Sequence, residues 1–260
     1  MGIFATLSIF HINFIFIPFI WLGSEKVQEL YASIGIPSIP TDIWLTMPTW
    51  LLAIFAALAY DFANYWNHRL MHQPWLWPVH AIHHSDPDVN GLTGHRIHVF
   101  EAFVMAVSYT LMLSWLGLPK DAIGIGAILI ALHNIYVHIN VDWGHGPLRM
   151  LIASPRFHRW HHADVKEAYG KNLANICPLF DWIFGTYYVP GKCEARMGAP
   201  GVPENDVLML IAWPIREWGR MIHAGGKTLV TRFAPEQSAP FAVNTVRDIE
   251  VEERFKRERR

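Results

Sequence analysis

The sequence predicts an all-α integral-membrane protein, a helical bundle of about four transmembrane helices with a cytosolic helical cap that carries clustered histidines. The first observation behind this prediction is composition: 52% of the 260 residues are hydrophobic and only 17% are charged, whereas soluble domains average about 25% charged residues. The second is a series of long apolar segments. The third is a set of 15 histidines, many of which follow the ends of those segments.

Two apolar segments come first in the chain. Residues 3–22 contain no charged side chain and are about long enough to span a bilayer. No basic segment precedes them and no clear cleavage site follows, so we predict a retained membrane helix and not a signal peptide. His11 lies inside it, far from the other histidines, and is expected to pack or to face lipid. Residues 23–42 are predicted to form a loop, and a second apolar helix is predicted from Ile43 to about Trp66.

Asp61 is the one carboxylate of the second apolar helix. A charge inside a membrane helix is costly, and such residues usually serve a function. Asp61 precedes His68 by about two helical turns, which places both on one face. We therefore expect Asp61 to accept a hydrogen bond from a metal-binding histidine. The alternative is that Asp61 lies at the membrane interface and is solvated.

Three compact histidine clusters occupy the middle of the chain. The second helix leads into an H-x-x-x-H motif, and two H-x-x-H-H motifs follow. Residues three and four apart share a helix face, so each cluster can aim its rings at one point. Imidazole is the commonest protein metal ligand and suits iron, copper and zinc. The sequence therefore predicts a metal site formed by His68, His72, His80, His83, His84, His158, His161 and His162.

Residues 102–117 and 121–141 flank a short turn at Leu118–Lys120 and predict a transmembrane hairpin. A hairpin that leaves the side of the membrane carrying His84 returns to the same side. It therefore brings His138, near its end, to the depth of the other clusters. His133 belongs to the same, looser cluster and is a further candidate ligand.

The distribution of Lys and Arg sets the predicted orientation. The loops predicted opposite the histidines hold only Lys26 and Lys120. By the positive-inside rule, the histidine clusters and the C-terminus are expected on the cytoplasmic side. The histidine side carries, among others, Arg69, Arg96, Arg149, Arg156 and Arg159.

The C-terminal part of the chain is more polar. Residues 191–206 are rich in Gly, Pro and charge and are predicted to form a surface loop. Residues 207–222 are apolar on part of their circumference but too charged to span, which predicts an interfacial helix, interrupted near Pro214. We treat residues 1–260 as a single membrane domain in which residues 191–260 form the interfacial helix and a solvated charged tail.

Net charge and cysteine content bear on the kind of partner and on the cellular compartment of the protein. A net charge of −1 gives no sign of nucleic-acid binding. Cys177 and Cys193 form no C-x-x-C pattern and are expected to be free thiols in a reducing compartment, although a pair remains open.

The number of histidines favours two metal ions, because one zinc ion takes only three or four protein ligands. Ferritin-like di-iron proteins use Glu-x-x-His pairs. No Glu accompanies the histidines here, so the ligand set is expected to be nearly all nitrogen. Such a site beside the bilayer would suit oxidation of a lipid C–H bond. The zinc-protease motif H-E-x-x-H is absent. A membrane haem electron-transfer protein with histidine ligands is the alternative, although it would need only single histidines on facing helices.

These motifs together resemble the fatty acid hydroxylase/sterol desaturase superfamily of integral-membrane di-iron oxygenases. The similarity covers about residues 60–188, the predicted catalytic region. The resemblance implies O2-dependent hydroxylation or desaturation of a sterol, fatty acyl chain or related membrane lipid. Besides the histidine motifs it rests on Asp61, Tyr65, Arg69, Leu76-Trp77, Arg96-x-His98, His138-x-Asn140, Pro155-Arg156-Phe157, Asp181 and Phe184-Gly185-Thr186.

The resemblance also implies the composition of the site. The eight histidines of the compact clusters, with His138, would hold two iron ions. His133 departs from the family's usual spacing to the next histidine. Asn140 joins Asp61 as a candidate catalytic side chain beside the ligands. No electron-carrier domain is evident, so a separate donor protein is expected: a reductase, a ferredoxin or a small haem protein. A non-catalytic lipid-binding relative is a third reading, against which the intact histidine set argues.

Overall fold

The computed structural model describes residues 6–7 and 26–223. The regular structure in this part of the chain is helical, and its one strand-like pairing is an isolated bridge between Ala163 and Met197. Apart from residues 6–7, the predicted membrane helix at 3–22 lies outside the described residues. The charged tail after residue 223 lies outside them too.

Eight helices are numbered here in chain order within the described residues. They are α1 (residues 26–33), α2 (Thr49–Met71), α3 (Trp77–His84), α4 (Val99–Leu116), α5 (Lys120–Val137), α6 (Pro155–His162), α7 (Leu179–Ile183) and α8 (Val207–His223). Short 3-10 turns at Thr41–Thr46, Thr93–His95, Gly146–Met150 and Lys166–Ala168 lie between them.

The bundle is built on α2, which packs along both α4 and α5. Small residues let α2 and α5 approach closely. A Cβ atom on Gly126 of α5 would lie 2.8 Å from Cβ of Ala56 and 2.9 Å from the backbone nitrogen of Ala57, closer than packed atoms tolerate. Tyr60 of α2 and Leu113 of α4 fill the adjoining core.

The predicted hairpin is present as α4 and α5. Gly117 ends α4 in the left-handed conformation, at φ 63°, which glycine adopts without a steric cost. Pro119 then caps the start of α5. Both helices are long and apolar enough to cross a membrane, and only 28% and 22% of their residues are buried, unlike core helices of a soluble protein. No other helix among the described residues meets this criterion, so the predicted count of about four spans is not confirmed.

Three predicted boundaries differ from the structure. The segment predicted as a loop at 23–42 contains the helix α1. The second apolar helix begins at Thr49 and not at Ile43, because Pro48 sets its N-terminus in an extended conformation. The interfacial helix α8 continues through Pro214. Its buried face, which includes Leu210 and Trp213, packs on Ile82 of α3 and offsets the hydrogen bond that proline removes.

The two ends of the bundle differ in what they carry. At one end the segment before α2 covers the α4–α5 turn: the Trp44 indole donates to the Leu116 carbonyl at 2.7 Å, and the Tyr31 hydroxyl donates to the Leu111 carbonyl at 2.9 Å. At the other end α2 terminates, α4 starts and α5 terminates, and the short helices α3 and α6 bring their histidines to the same place.

Candidate metal centre

Nine histidines converge at this end of the bundle in two adjacent groups. In each group one ring nitrogen per residue lies within 4.8 Å of the corresponding nitrogens of all the others. The rings of His84 and His162, one from each group, have centroids 4.5 Å apart. We call the first group, His68, His72, His80, His84 and His161, the five-histidine site, and the second, His83, His138, His158 and His162, the four-histidine site.

Each H-x-x-H-H motif is divided between the two sites, so the expectation that one motif aims its rings at a single point was wrong. On α3, His80 and His84 belong to the five-histidine site and His83 to the other. On α6, His161 belongs to the five-histidine site, while His158 and His162 belong to the other. The reason is helical geometry. The second and third histidines of the motif stand three and four residues after the first. Viewed along the helix axis they lie on opposite sides of the first histidine, about 100° apart from each other.

The hairpin inference is confirmed by His138. This residue directly follows α5 and reaches the four-histidine site. Its Nε2 atom lies 2.8 Å from Nε2 of His158 and 3.3 Å from Nε2 of His83. A residue more than fifty positions along the chain from α3 is thus returned to the same depth.

In the five-histidine site, Nδ1 of three of the five rings has a hydrogen-bond partner outside the group. His68 donates to the Leu173 carbonyl at 2.7 Å, and His161 donates to the Lys171 carbonyl at 2.8 Å. His80 donates to Oε1 of Glu101 at 2.8 Å. A neutral imidazole has a single N–H, so these bonds leave the Nε2 lone pairs facing the centre of the group.

Those inward nitrogens lack any partner of their own. Nε2 of His68 and Nε2 of His80 are 3.0 Å apart, so two lone pairs face each other. The Nε2 atoms of His72, His84 and His161 are buried and have no hydrogen-bond partner among the described residues. Buried polar atoms are rarely left unsatisfied in folded proteins. A metal cation bound between these nitrogens would accept the facing lone pairs and would also give the unpartnered nitrogens a partner.

The four-histidine site shows this pattern in part, because Nδ1 of His158 and of His162 is buried without a hydrogen-bond partner among the described residues. His138 Nδ1 donates to the Asn134 carbonyl at 2.6 Å, which leaves a lone pair on its Nε2 facing two neighbouring rings. Nε2 of His158 also lies 3.1 Å from Nε2 of His162. Two nitrogens bound to one ion at about 2.1 Å, with bonds about 90° apart, are roughly 3.0 Å from each other. Within each site, the spacing of the nitrogen atoms fits binding to one metal ion.

Burial keeps these rings in the form that binds metal. Removal from water lowers the pKa of His80, His83 and His84 well below 6.5. Burial first, and then the neighbouring imidazoles, does the same to the pKa of His158, His161 and His162. The imidazoles are therefore neutral at pH 7, as ligation requires. An all-nitrogen set of this kind suits iron, copper or zinc.

Local structure fixes the helices that carry the rings. Ser154 caps α6 by accepting the Phe157 N–H at 3.2 Å, and Pro155 opens its first turn. Arg96 is fully buried. Its guanidinium donates to the Ile82 carbonyl at 3.1 Å and to the Ser85 hydroxyl at 2.9 Å, and it also donates to the Glu204 carbonyl. Arg96 thereby fastens the end of α3, next to His83 and His84.

Comparison with known proteins agrees with this geometry. The family model for fatty acid hydroxylase matches residues 53–186, which is more than half of the chain and includes all nine clustered histidines. The chain belongs to the fatty acid hydroxylase family. The resemblance drawn from the motifs is confirmed.

Several relatives of this fatty acid hydroxylase family member have names that describe enzymes acting on lipids. It is 30% identical to ornithine lipid hydroxylase OlsE from Rhizobium tropici over 70% of this chain and 56% of the relative. It is 30% identical to alkylglycerol monooxygenase from Homo sapiens over 55% of this chain and 32% of the relative. It is 27% identical to methylsterol monooxygenase 2-2 from Arabidopsis thaliana over 57% of this chain and 56% of the relative. The chain thus spans little more than half of these proteins at most. No solved structure gives a significant match.

Three predicted site residues of this family member lie outside the two histidine sites. His133 joins neither group; its ring lies beside that of Tyr136 on α5, with centroids 5.5 Å apart. Asn140 accepts a hydrogen bond at 2.7 Å from Arg159, which is not a ligand candidate.

Asp61 does not bond to a histidine. It accepts the backbone N–H groups of Asn175 at 2.8 Å and Cys177 at 2.7 Å. The expectation of a direct bond to a histidine was wrong because two helical turns separate Asp61 from His68 by about 10 Å along the axis. Cys177 and Cys193 are buried free thiols, as expected.

Glu101 is the site residue that the sequence reasoning missed, since it expected no Glu beside the histidines. It lies in the first turn of α4, is buried, and accepts the His80 N–H. A signal was present in the sequence: Glu101 is a lone acidic residue at the border of an apolar helix, as conspicuous as Asp61. His98, by contrast, is a structural cap. It accepts the Phe100 N–H at 3.1 Å and donates to the Ile211 carbonyl at 3.1 Å, which ties α4 to α8.

Proposed function

We propose that this protein is a membrane di-iron oxygenase that uses O2 to hydroxylate a C–H bond of a membrane lipid. The observation that carries the proposal is the pair of adjacent buried sites in which the ring nitrogens of neutral imidazoles face one another. The names of the relatives add the reaction type, because all three quoted above are lipid hydroxylases or monooxygenases. Desaturation begins with the same hydrogen abstraction and is the neighbouring possibility within this proposal.

The five-histidine and four-histidine sites would each hold one iron ion. When bound, such an iron pair supplies the activation of O2 and the removal of hydrogen from an unactivated carbon. The protein holds four of the nine ligand rings in one tautomer through outward hydrogen bonds to Leu173, Lys171, Glu101 and Asn134. It also excludes water, since eight of the nine histidines are buried.

A lipid substrate fits the position of the sites. They lie at the ends of α4 and α5, whose outer surfaces are apolar and largely exposed. An alkyl chain dissolved in the bilayer would therefore reach the histidines from the side of the membrane, without passing through water.

The helix α8 extends this apolar surface, and we place it at the membrane boundary. Leu208, Ile215 and Ile222 lie along its outer face and are 79%, 70% and 72% exposed. On the same helix the Trp218 ring lies 6.0 Å from that of Phe100, at the start of the span α4. Tryptophan is enriched at the level of lipid headgroups. The arginines on the histidine side favour the cytoplasmic face for this boundary, and the electrons would come from a separate donor protein there.

The haem alternative has less support. A haem held by two histidines needs two facing imidazoles with the flat haem ring between them. Here the ligand atoms are gathered in fours and fives within 4.8 Å, which leaves no space for a macrocycle among them.

The direct test is incubation of the iron-loaded protein with membrane lipids, a reducing system and isotopically labelled O2. We expect one labelled oxygen atom in a lipid product, detected by mass spectrometry. His161→Ala and His83→Ala, one from each site, should abolish the product while the protein still inserts in membranes. Unlabelled product or equal product from either variant would count against the proposal.

A further inference from the structure

The segment 171–175 supplies two of the outward hydrogen bonds of the five-histidine site. Its Lys171 carbonyl accepts the N–H of His161, and its Leu173 carbonyl accepts the N–H of His68. These two ligands come from α6 and α2, far apart in the sequence. One short stretch of backbone therefore orients two rings of the same site.

Between the two carbonyls the backbone takes an uncommon conformation. Asn172 is fully buried and has a φ of 57°, in the left-handed region that few residues other than glycine occupy. Its side chain donates to the Phe157 carbonyl at 2.8 Å and to the Tyr188 carbonyl at 2.7 Å. A conformation of this kind persists only when its surroundings hold it.

Two buried carboxylates bind the backbone that follows Asn172. Asp181 accepts the N–H of Leu173 at 2.7 Å, the N–H of Ala174 at 2.9 Å and the hydroxyl of Thr186 at 2.7 Å. Asp61 accepts the N–H groups of Asn175 and Cys177, a little further along the chain. Both carboxylates are 0% exposed. Burying two charges is costly unless their hydrogen bonds are complete, and here four of their partners are backbone N–H groups between Leu173 and Cys177, in this segment and directly after it.

We propose that Asp61 and Asp181 are positioning residues for the five-histidine site, acting through the 171–175 segment to fix the tautomer and ring orientation of His68 and His161. The proposal rests on the metal-binding part of the proposed function. It does not depend on the reaction or the substrate.

The effect should be confined to one of the two ions. In the four-histidine site, His138 donates its outward hydrogen bond to the carbonyl of Asn134, four residues earlier in the chain. Neither Asp61 nor Asp181 bonds to the backbone that orients His138. Loss of a carboxylate should therefore loosen the five-histidine site and leave the other site occupied.

The experiment measures metal content of the detergent-purified full chain after loading with iron and, separately, with Co²⁺. Asp181→Asn removes the charge and turns an N–H donor toward the backbone N–H groups. We expect it to lower the bound metal by about half, with a matching loss in the visible spectrum of the cobalt form. Asp61→Asn should act in the same direction. Glu217→Gln is the matched control, because Glu217 is a buried carboxylate on α8 whose side chain bonds to Arg220; it should keep the full metal content.

Double variants identify which ion is lost. Asp181→Asn combined with His161→Ala should hold as much metal as His161→Ala alone. Asp181→Asn combined with His138→Ala should hold almost none. Should Asp181→Asn fail to fold, Thr186→Val removes only one of its three hydrogen-bond donors and should weaken binding of the same ion.

The inference is overturned if Asp181→Asn or Thr186→Val folds and keeps both ions at wild-type affinity, or if both ions are lost together. The proposed function fails in a different way, when wild-type protein holds both ions but yields no O2-dependent lipid product. The two failures are thus distinguishable.

Discussion

At the scale of single residues, the site depends on which nitrogen of each imidazole carries the proton. Four of the nine rings, those of His68, His80, His138 and His161, donate from Nδ1 to an acceptor outside the site, which settles the position of the proton for these four. Of these acceptors, three are backbone carbonyls and one is the Glu101 carboxylate. A charged acceptor also raises the basicity of the ring that donates to it, which makes Glu101 the one acceptor whose chemistry can be changed by substitution.

Glu101→Gln is predicted to weaken metal binding at the five-histidine site by about 10- to 100-fold, the usual effect of losing a partner behind a ligand. The amide retains an acceptor for His80 but loses the negative charge. Chelator competition against the cobalt-loaded protein measures the change. Asp121→Asn, at an exposed acidic residue of α5, is the control and should bind metal as wild type does. Equal affinities for the two variants would show that the Glu101 charge has no role.

At the scale of elements, the depth of the histidines is set by how closely α2 and α5 pack. Gly126 permits this contact, and its substitution by alanine would press a methyl group against Ala56 and Ala57. We predict a loss of about 1–3 kcal/mol of unfolding free energy for Gly126→Ala, as is typical of overpacking. Thermal unfolding in detergent tests this.

The matched control for that change is Gly219→Ala on α8. A Cβ atom there would meet nothing within 4 Å. Because alanine is the better helix former, this variant should be neutral or stabilised by about 0.5–1 kcal/mol. If both substitutions had the same effect, close packing of α2 on α5 would not explain the role of Gly126.

The position of α8 at the membrane boundary gives a further prediction at this scale. A cysteine introduced at Ile215, on its exposed outer face, should react slowly with a water-soluble maleimide in nanodiscs. Asn205→Cys, in the exposed loop before α8, should react quickly. The two native cysteines are buried and give a low background. Equally fast labelling at both positions would place this face of α8 in water.

At the scale of the whole molecule, the sequence predicted the helical class and the hairpin, and nine of the ten histidines that it proposed as metal ligands lie in the two groups. These follow from local periodicity and from the rule that a hairpin returns to its starting side. The division of each H-x-x-H-H motif between two sites was not predicted, because the three rings of a motif were expected to share one helix face, although its last two histidines lie about 100° apart around the axis. The partners of Asp61 and the role of Glu101 depend on contacts between distant segments, which spacing alone does not reveal.

The central claim is that two adjacent all-histidine sites each bind an iron ion. Elemental analysis of the detergent-purified protein, together with its visible spectrum, tests it most directly. We predict about two iron ions per chain, because each site offers at least the three or four ligands that one ion needs, and no haem absorbance. A single iron accompanied by a haem band would contradict the claim and would identify the protein as an electron carrier.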